Sequence, residues 1–419
     1  MTRSLKLITY EKAMELIRSS LSGSSVVDER VRVDSAIGRT SAETVIAQTD
    51  IPQTERSAMD GYAVNSELTM GATVQSPVKF KIAGRLMPGI KAPPLNGNET
   101  FYVSLGSEIP LGADAVVKVE DARVEGSYIE LRREIKRGKN VISRGEDFGR
   151  GFSIIENGQQ VTAAHAAMLM ASGTYYIRAF RVPRVGVLSV GDELKDLDEY
   201  SEGAKVNTYR YLISEYLNEI NAVPLPMGTV KSSRDEIARR ISETLGALDA
   251  VITLGGSSVG DNDSTYEGVL QCSGARAVYH GIELLPMKPT GLALIGSKPI
   301  MVLPGQAVSL TVSFFLTVVP VMNMLTGMKP DSRTARVSAV MNDDLSNDHE
   351  LDVVRLVRLI SEPNGLHAEP LKWGMNIISN LPLAGGFLRL KPGEKVKRGD
   401  RISVTVLGAH GFYSMEMKV

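Results

Sequence analysis

Glycine and hydroxyl residues are concentrated at 255–260, directly after the apolar run 250–254. Two adjacent glycines allow a sharp turn, and bare backbone amides next to the start of a helix can hold the oxygens of a phosphate group. The segment lacks the spacing of a Walker loop and of a dinucleotide-binding loop. An anion site and a plain strand-to-helix turn therefore fit the pattern equally well. The candidate phosphate-binding residues are Gly255, Gly256, Ser257, Ser258 and Gly260.

Acidic residues follow this turn and also follow a second apolar run at 185–190. Asp261 and Asp263 end the turn, whereas Asp192 and Glu193 come after the second run. If both runs are neighbouring strands of one parallel sheet, they end at the same edge and their carboxylates converge. Carboxylates beside a phosphate are typical ligands of a divalent cation, although either aspartate can instead cap a helix. The sequence predicts a site for a divalent cation here.

Two further acidic residues lie in glycine-rich turns away from these strands. Asp60 belongs to SAMDGYAV (57–64), and Asp147 belongs to SRGEDFGRG (143–151). Aspartate is common in turns because its side chain accepts hydrogen bonds from nearby backbone amides. Taken alone, each motif favours a turn-forming role over a catalytic one.

Composition restricts the classes of function. The chain has 47 Lys and Arg against 48 Asp and Glu, so no overall charge draws it to nucleic acid or to an anionic membrane. One cysteine and five dispersed histidines do not provide the ligand cluster of a zinc or iron–sulfur centre. The N-terminal residues lack the apolar segment of a secretory signal, so we expect a cytoplasmic protein. The apolar stretch 307–325 contains Ser, Thr, Pro and Asn, which favours a buried helix over a membrane span.

The spacing of apolar residues divides the chain into four regions. It predicts an amphipathic helix at 8–21, capped by Thr9, and a second helix at 162–171, and we expect these two helices to pack together. Apolar strands alternate with amphipathic helices from 184 onward, which is typical of a parallel α/β sheet covered on both faces. The predicted domains are a discontinuous N-terminal domain (1–50 and 141–178), an inserted β-domain (51–140), an α/β domain (179–328) and a C-terminal β-domain (329–419).

Six motifs occur in the order and approximate spacing found in one protein family. They are SAMDGYAV (57–64), GADAVV (112–117), RGEDF (144–148), SVGDEL (189–194), GGSSVGDND (255–263) and LPG (303–305). Each motif alone is a turn, but chance does not readily place six of them in the same order. By these motifs the chain resembles the molybdopterin molybdenumtransferases, the MoeA and gephyrin E-domain family.

The resemblance implies both an architecture and a reaction. The architecture is an elongated four-domain homodimer, with a MogA-like α/β domain that binds molybdopterin and a β-barrel-like C-terminal domain. In the reaction, adenylylated molybdopterin and molybdate give molybdenum cofactor and AMP, assisted by Mg²⁺ or another divalent cation. The expected protein partner is the enzyme that adenylylates molybdopterin.

The resemblance also assigns roles to residues of this chain. Its implied catalytic residues are Asp60, Asp147, Glu193, Asp263 and Lys288, with Glu193 and Asp263 as the metal ligands. Pro304 and Gly305 join the glycine-rich turn as implied binding residues for the pterin nucleotide. The departures from the family pattern are Ser232 for an acidic residue, Gly291 for a second lysine, Gln306 for an asparagine and Met375 for a serine.

These departures keep two alternatives open beside an active metal-insertion enzyme. The chain can be a paralogue that binds molybdopterin as a carrier or scaffold, or it can insert tungstate, since tungstate and molybdate share charge and geometry. Loss of a lysine and a hydroxyl weakens capture of a dianion more than capture of the nucleotide. The candidates to compensate are Lys288, Lys298, Arg355 and Arg358, although a surface Lys or Arg is more often simply solvated.

Overall fold

The computed structural model of the chain describes residues 5–24, 26–199, 201–203, 205–260, 263–408 and 416–417. Asp261, one of the two aspartates that end the glycine-rich turn, lies outside the described residues.

The elements of the N-terminal half fall into three groups along the chain. The first group is α1 (Tyr10–Leu21), β1 (Asp28–Arg32) and β2 (Val45–Ile46). The second group is β3 (Arg56–Ser57), β4 (Gly61–Val64), β5 (Val78–Leu86), β6 (Glu99–Val103), β7 (Ala115–Lys118), β8 (Arg123–Glu125), β9 (Tyr128–Leu131) and β10 (Val141–Ile142). The third group is β11 (Ser153–Ile155), α2 (Ala163–Ala171) and β12 (Tyr176–Phe180).

The elements of the C-terminal half fall into an α/β group and a β group. The α/β group is β13 (Arg184–Val190), β14 (Leu194–Lys195), β15 (Lys205–Val206), α3 (Thr208–Glu219), β16 (Val223–Val230), α4 (Arg234–Thr244), β17 (Ala250–Leu254), α5 (Thr265–Leu270), β18 (Ala275–His280), β19 (Leu284–Leu285), β20 (Gly291–Ile295), β21 (Lys298–Leu303), α6 (Ala307–Ser313) and α7 (Val319–Leu325). The β group is β22 (Arg336–Met341), β23 (Leu345–Ser346), β24 (Asp352–Glu362), β25 (Gly365–Pro370), β26 (Gly386–Leu390), β27 (Lys395–Val396), β28 (Arg401–Val406) and β29 (Glu416–Met417).

Short antiparallel pairs join the segments before and after the insertion. Strand β1 pairs with β12, and β2 pairs with β11. Helix α2 contributes Ala166 and Leu169 to the core of this region. The inserted strands form a separate six-stranded sheet in the order β7-β4-β6-β5-β9-β8. The exact limits of the four domains stay predictions.

Helix α1 begins where the sequence predicts, because Thr9 accepts a hydrogen bond from the Lys12 amide at 3.2 Å. Its buried residues, which include Ala13 and Ile17, belong to the core of the α/β domain and pack near α7. The prediction that α1 packs against the helix at 162–171 is therefore wrong. The helical period identifies an apolar face but does not identify the surface that covers it.

The α/β sheet has the strand order β16-β13-β17-β21-β20-β18. Its first four strands are parallel, whereas β20 pairs antiparallel with both β21 and β18. The sheet is thus mixed rather than wholly parallel, because a two-residue turn at Gly296 folds β20 and β21 into a hairpin. The apolar stretch Ala307–Leu325 is 83% buried inside the protein, which confirms the predicted core helix.

The C-terminal strands close into a barrel. The sheet runs β24-β25-β22-β28-β26, and β26 pairs back onto β24. The predicted fold class, an α/β domain with a discontinuous N-terminal domain, an inserted β-domain and a β-barrel-like C-terminal domain, is confirmed.

Candidate functional site

A cavity of about 400 Å³ lies at the carboxyl edge of the α/β sheet. Its walls come from the loop after β13, the β14–β15 ribbon with the start of α3, the glycine-rich turn after β17, and the turns after β16 and β21. Ligands of open α/β sheets bind outside the carboxyl ends of the strands, so this is the expected place for a site.

Two carboxylates from different loops line this cavity together. Glu193 follows β13, and Asp263 follows the turn after β17. The loops are neighbours because β13 and β17 run parallel and in register, with Ser189 opposite Leu254. Both side chains therefore line one cavity, as the sequence predicts for neighbouring strands, and their role as metal ligands stays a prediction.

Close packing explains the paired glycines of the turn. Gly255 and Gly256 both have positive φ, at 95° and 59°. A Cβ on Gly255 would lie 2.7 Å from the Val190 carbonyl oxygen, and one on Gly256 would lie 2.5 Å from Thr265 Oγ1. Any larger residue would force the turn away from β13 and α5, so packing alone requires glycine here.

The turn nevertheless keeps backbone amides for an anion. Gly255 N donates to Leu303 O at 3.1 Å, and Gly260 N donates to Asp263 Oδ2 at 3.0 Å. Within the described residues, the amide of Gly256 has no protein acceptor, and Gly256 lines the cavity. The turn thus serves packing, and its role as an anion cradle stays a prediction that the Gly256 amide supports.

A lysine that sequence reasoning did not single out also faces the cavity. Lys205 Nζ lies 2.9 Å from Glu193 Oε1. This hydrogen bond lowers the pKa of Glu193 below its usual value, because the ammonium group favours the ionised carboxylate. The ion pair links the loop after β13 to the start of β15.

Asn207 and Tyr209 are two more lining residues that the motifs did not indicate. Asn207 is only 3% exposed, and its amide nitrogen donates to Ser189 Oγ at 2.9 Å and to Thr229 Oγ1 at 3.2 Å. These bonds fix the start of α3 against β13 and β16. The sequence pattern could have indicated both residues, because a helix that follows β13 has to begin near the carboxyl edge of the sheet.

The C-terminal domain covers the start of the long core helix. Asn376 Oδ1 accepts hydrogen bonds from the Tyr209 hydroxyl at 2.8 Å and from Ala307 N at 3.3 Å. The carbonyl of Met375 accepts from Val308 N at 2.9 Å. Protein groups therefore occupy the amides that a helix N-terminus would otherwise offer to an anion. Of the predicted residues before this helix, Gly305 lines the cavity and Pro304 is buried outside it.

Several predicted site residues do not line the cavity within one chain. Ser257 is buried, with its carbonyl 2.7 Å from His280 Nε2, and Ser258 is exposed. Gly291 pairs with Val302 near the carboxyl end of β21. Lys288 lies three residues before Gly291, so it belongs to the same sheet edge. It does not line the cavity. Their binding and catalytic roles stay predictions.

Asp60 and Asp147 lie in the region that connects the inserted sheet to the rest of the chain. Asp60 directly precedes β4 and accepts a hydrogen bond from Leu105 N at 2.8 Å. The amide of Asp147 donates to Ile51 O at 3.0 Å, and the β3–β10 pair connects the two neighbourhoods. Both side chains are exposed, and neither lines the cavity of its own chain.

The departure at Gly291 has a steric cause. Tyr266 and His280 stack with their ring centroids 4.1 Å apart. A Cβ at Gly291 would lie 3.0 Å from the Tyr266 ring and 3.2 Å from His280 Cδ2. The stacked rings thus fill the space that a side chain would need, and the position supplies no cation.

We expect Gly291→Ala to lower the free energy of unfolding by about 1–3 kcal/mol, because the added methyl group must displace the stacked rings. Chemical denaturation measures the change. Gly246→Ala is the matched control, since no heavy atom lies within 4 Å of its added Cβ, and its effect should stay within about 0.5 kcal/mol. Equal effects of the two substitutions would refute the steric explanation.

The donor set of the cavity suits a hard divalent cation that also binds substrate. Among the residues that the structure describes, no group of three or more His, Cys, Asp or Glu side chains could hold a metal ion. Mg²⁺, however, commonly takes one or two protein carboxylates and completes its shell with water and substrate phosphate. Glu193 and Asp263 fit that requirement.

Comparison with known proteins agrees with this architecture. Residues 8–173 match the model of the MoeA N-terminal region (domain I and II), and residues 186–324 match the model of a probable molybdopterin binding domain. These matches define a protein of molybdenum cofactor biosynthesis that contains a domain of the molybdopterin-binding family. A molybdopterin molybdenumtransferase from a Nostoc species is 30% identical over 325 residues, which cover 76% of this chain and 74% of that one.

Two further relatives extend the likeness over more of the chain. A molybdopterin molybdenumtransferase from Bacillus subtilis is 29% identical over 88% of this chain and 86% of its own. The crystal structure of a molybdopterin biosynthesis MoeA protein from Pyrococcus horikosii has a TM-score of 0.83 at 27% identity, covering 96% of this chain and 100% of that one. The chain belongs to the MoeA family of molybdopterin biosynthesis proteins.

Proposed function

We propose that this protein inserts molybdate into adenylylated molybdopterin and releases AMP. The observation that carries the proposal is the shared cavity, where Glu193 and Asp263 from separate loops meet the glycine-rich turn at the carboxyl edge of the sheet. Relatives named molybdopterin molybdenumtransferase support the same activity.

The lining residues suit cleavage of a bond to phosphate. A divalent cation held by Glu193 and Asp263 would neutralise the charge that develops on the phosphate oxygens as AMP leaves. The Gly256 amide orients one of those oxygens, because an amide held in a rigid turn needs no rearrangement during the reaction. Tyr209 and Asn207 fix the wall on which the substrate rests.

We propose that the remaining acidic residues reach the cavity from a second copy of the chain. Asp60 and Asp147 are exposed near the β3–β10 pair of their own chain, so they are available to a neighbouring subunit. The homodimer, an adenylyltransferase that supplies the substrate, and a cytoplasmic location belong to the same proposal.

Release of AMP tests the function. Purified protein is mixed with adenylylated molybdopterin, molybdate and Mg²⁺, and AMP is followed by chromatography. We expect AMP release that requires both the oxyanion and the cation. A parallel reaction with tungstate compares the two metals under identical conditions. Tight binding of the pterin without AMP release would contradict the proposal.

That contradictory result would favour a second function, a molybdopterin-binding carrier or scaffold. Two observations motivate this alternative. Ser232 brings a neutral side chain to the cavity, and Gly291 supplies no side chain beside the stacked rings. Such a protein would hold the pterin through the glycine-rich turn and hand it on unchanged.

A further inference from the structure

Lys205, which is not among the predicted site residues, forms an ion pair with Glu193 at the wall of the cavity, with Nζ and Oε1 2.9 Å apart. Of the described residues that line the cavity, Lys205 is the one that carries a positive charge. The two negative charges on this wall, Glu193 and Asp263, otherwise repel a phosphate or a molybdate ion. An oxyanion that enters the cavity therefore needs Lys205.

Of the other cations named from the sequence, Lys288 belongs to the same sheet edge but does not line the cavity, and the remaining three lie elsewhere. Lys298 begins β21 at the opposite, amino-terminal end of the sheet, where its Nζ donates to Leu245 O at 2.7 Å. Arg355 and Arg358 belong to the C-terminal barrel strand β24. Position 291 is a glycine, and the stacked rings of Tyr266 and His280 crowd the space beside it.

The same geometry places Lys205 in competition with a divalent cation. Its ammonium group already donates a hydrogen bond to Oε1 of Glu193, and Glu193 is one of the two proposed cation ligands. A divalent cation that binds Oε1 of Glu193 displaces the ammonium group from that oxygen, and the displaced group is then free to meet an oxyanion. Each ligand thus favours the other, and such coupling is reciprocal by thermodynamic necessity.

We propose that Lys205 is the oxyanion-recognising residue of the cavity and that its ion pair with Glu193 couples oxyanion binding to divalent-cation binding. This inference deepens the proposed function and rests on it for the identity of the site. The ligand chemistry is a tetrahedral oxyanion, which two sources can supply, molybdate itself or the phosphate of the nucleotide.

Equilibrium binding tests the inference without turnover. The probes are molybdate and AMP, each followed by equilibrium dialysis without divalent cation, and Mn²⁺, followed by its electron paramagnetic resonance signal without oxyanion. For Lys205→Met we expect about tenfold weaker oxyanion binding, because one charge-assisted hydrogen bond is lost. We expect its Mn²⁺ binding to strengthen by about two- to fivefold, because the competing ammonium group is gone.

Glu193→Gln should produce the reverse pattern. Mn²⁺ binding weakens because a carboxylate ligand is lost, and oxyanion binding strengthens by about two- to fivefold because Lys205 is released from its partner. Changes of opposite sign for the two probes separate this coupling from a folding defect, which would weaken both. Lys205→Arg keeps the charge and should retain oxyanion binding.

Lys195→Met is the matched control, because Lys195 lies on the same ribbon opposite Val206 and does not line the cavity. It should leave all three affinities unchanged. A loss confined to molybdate identifies the metal oxyanion as the ligand of Lys205, and a loss confined to AMP identifies the phosphate.

Three results would overturn the inference. They are a wild-type protein that binds neither oxyanion, a Lys205→Met variant with unchanged affinity for both oxyanions, and a Lys205→Met variant whose Mn²⁺ affinity does not rise. A wild-type protein that shows the binding pattern but releases no AMP would instead refute the proposed function and leave the inference standing.

Discussion

Replacement of Asp263 by alanine is expected to lower the rate of AMP release by about a hundred- to a thousandfold. Asp263 lines the cavity and is one of its two carboxylates, so its loss removes negative charge that holds the cation beside the phosphate. The thermal unfolding midpoint should change little, because the side chain is only partly buried at the end of an exposed turn. Steady-state kinetics and calorimetry measure the two effects.

Asp263→Asn separates catalysis from turn formation. The asparagine keeps an oxygen that can accept the hydrogen bond from Gly260 N, yet it removes the negative charge. If Asp263 holds the cation, the asparagine variant loses nearly as much activity as the alanine variant. Near-normal activity in Asp263→Asn would show that the residue merely shapes the turn.

Mixing two inactive variants is expected to restore activity. Asp147→Ala and Glu193→Ala should each be nearly inactive alone. If Asp147 serves the cavity of the other subunit, a mixed dimer carries one fully intact site and one site with both defects. Random exchange makes half of the dimers mixed, so about a quarter of wild-type activity returns on mixing. AMP release before and after subunit exchange measures the recovery.

The control mixes Asp263→Ala with Glu193→Ala. These two residues line the same cavity of one chain, so a mixed dimer has one defect in each site and no recovery is expected. Subunit exchange must first be demonstrated in both mixtures. If the Asp147 mixture then recovers no activity either, Asp147 does not act in the partner's cavity.

The sequence predicts the location of a site residue well when that residue directly follows a strand. The apolar runs at 185–190 and 250–254 predict two strands of one parallel sheet, which brings Glu193 and Asp263 to the same edge, and the structure shows that these strands are neighbours. The paired glycines at 255 and 256 likewise predict a sharp turn, because the turn needs positive φ and close contact with β13.

Long-range packing is what the sequence leaves open. The helical period of α1 gives its apolar face, but only the structure shows that this face covers the α/β domain. The same holds for Gly291, whose neighbours Tyr266 and His280 come from α5 and β18. The sequence shows that position 291 lacks the lysine of the family pattern, whereas only the structure shows that the rings of Tyr266 and His280 lie beside it.

Lys205 illustrates a residue that a motif search passes over. It lies on a two-residue strand, and by itself it resembles any solvated lysine. Its significance comes from the pairing of β14 with β15, which sets Lys205 opposite Leu194 and beside Glu193. Knowing that α3 starts at the carboxyl edge would have been enough to consider it.

The most direct test of the account is a crystal structure of the protein with Mn²⁺ and AMP, in which anomalous scattering locates the metal. We expect one Mn²⁺ ion bound to the carboxylates of both Glu193 and Asp263, with the AMP phosphate at the Gly256 amide. Lys205 should have left Glu193 for a phosphate oxygen. A metal ion or nucleotide bound away from this cavity at saturating concentrations, in the assembled dimer, would contradict the account.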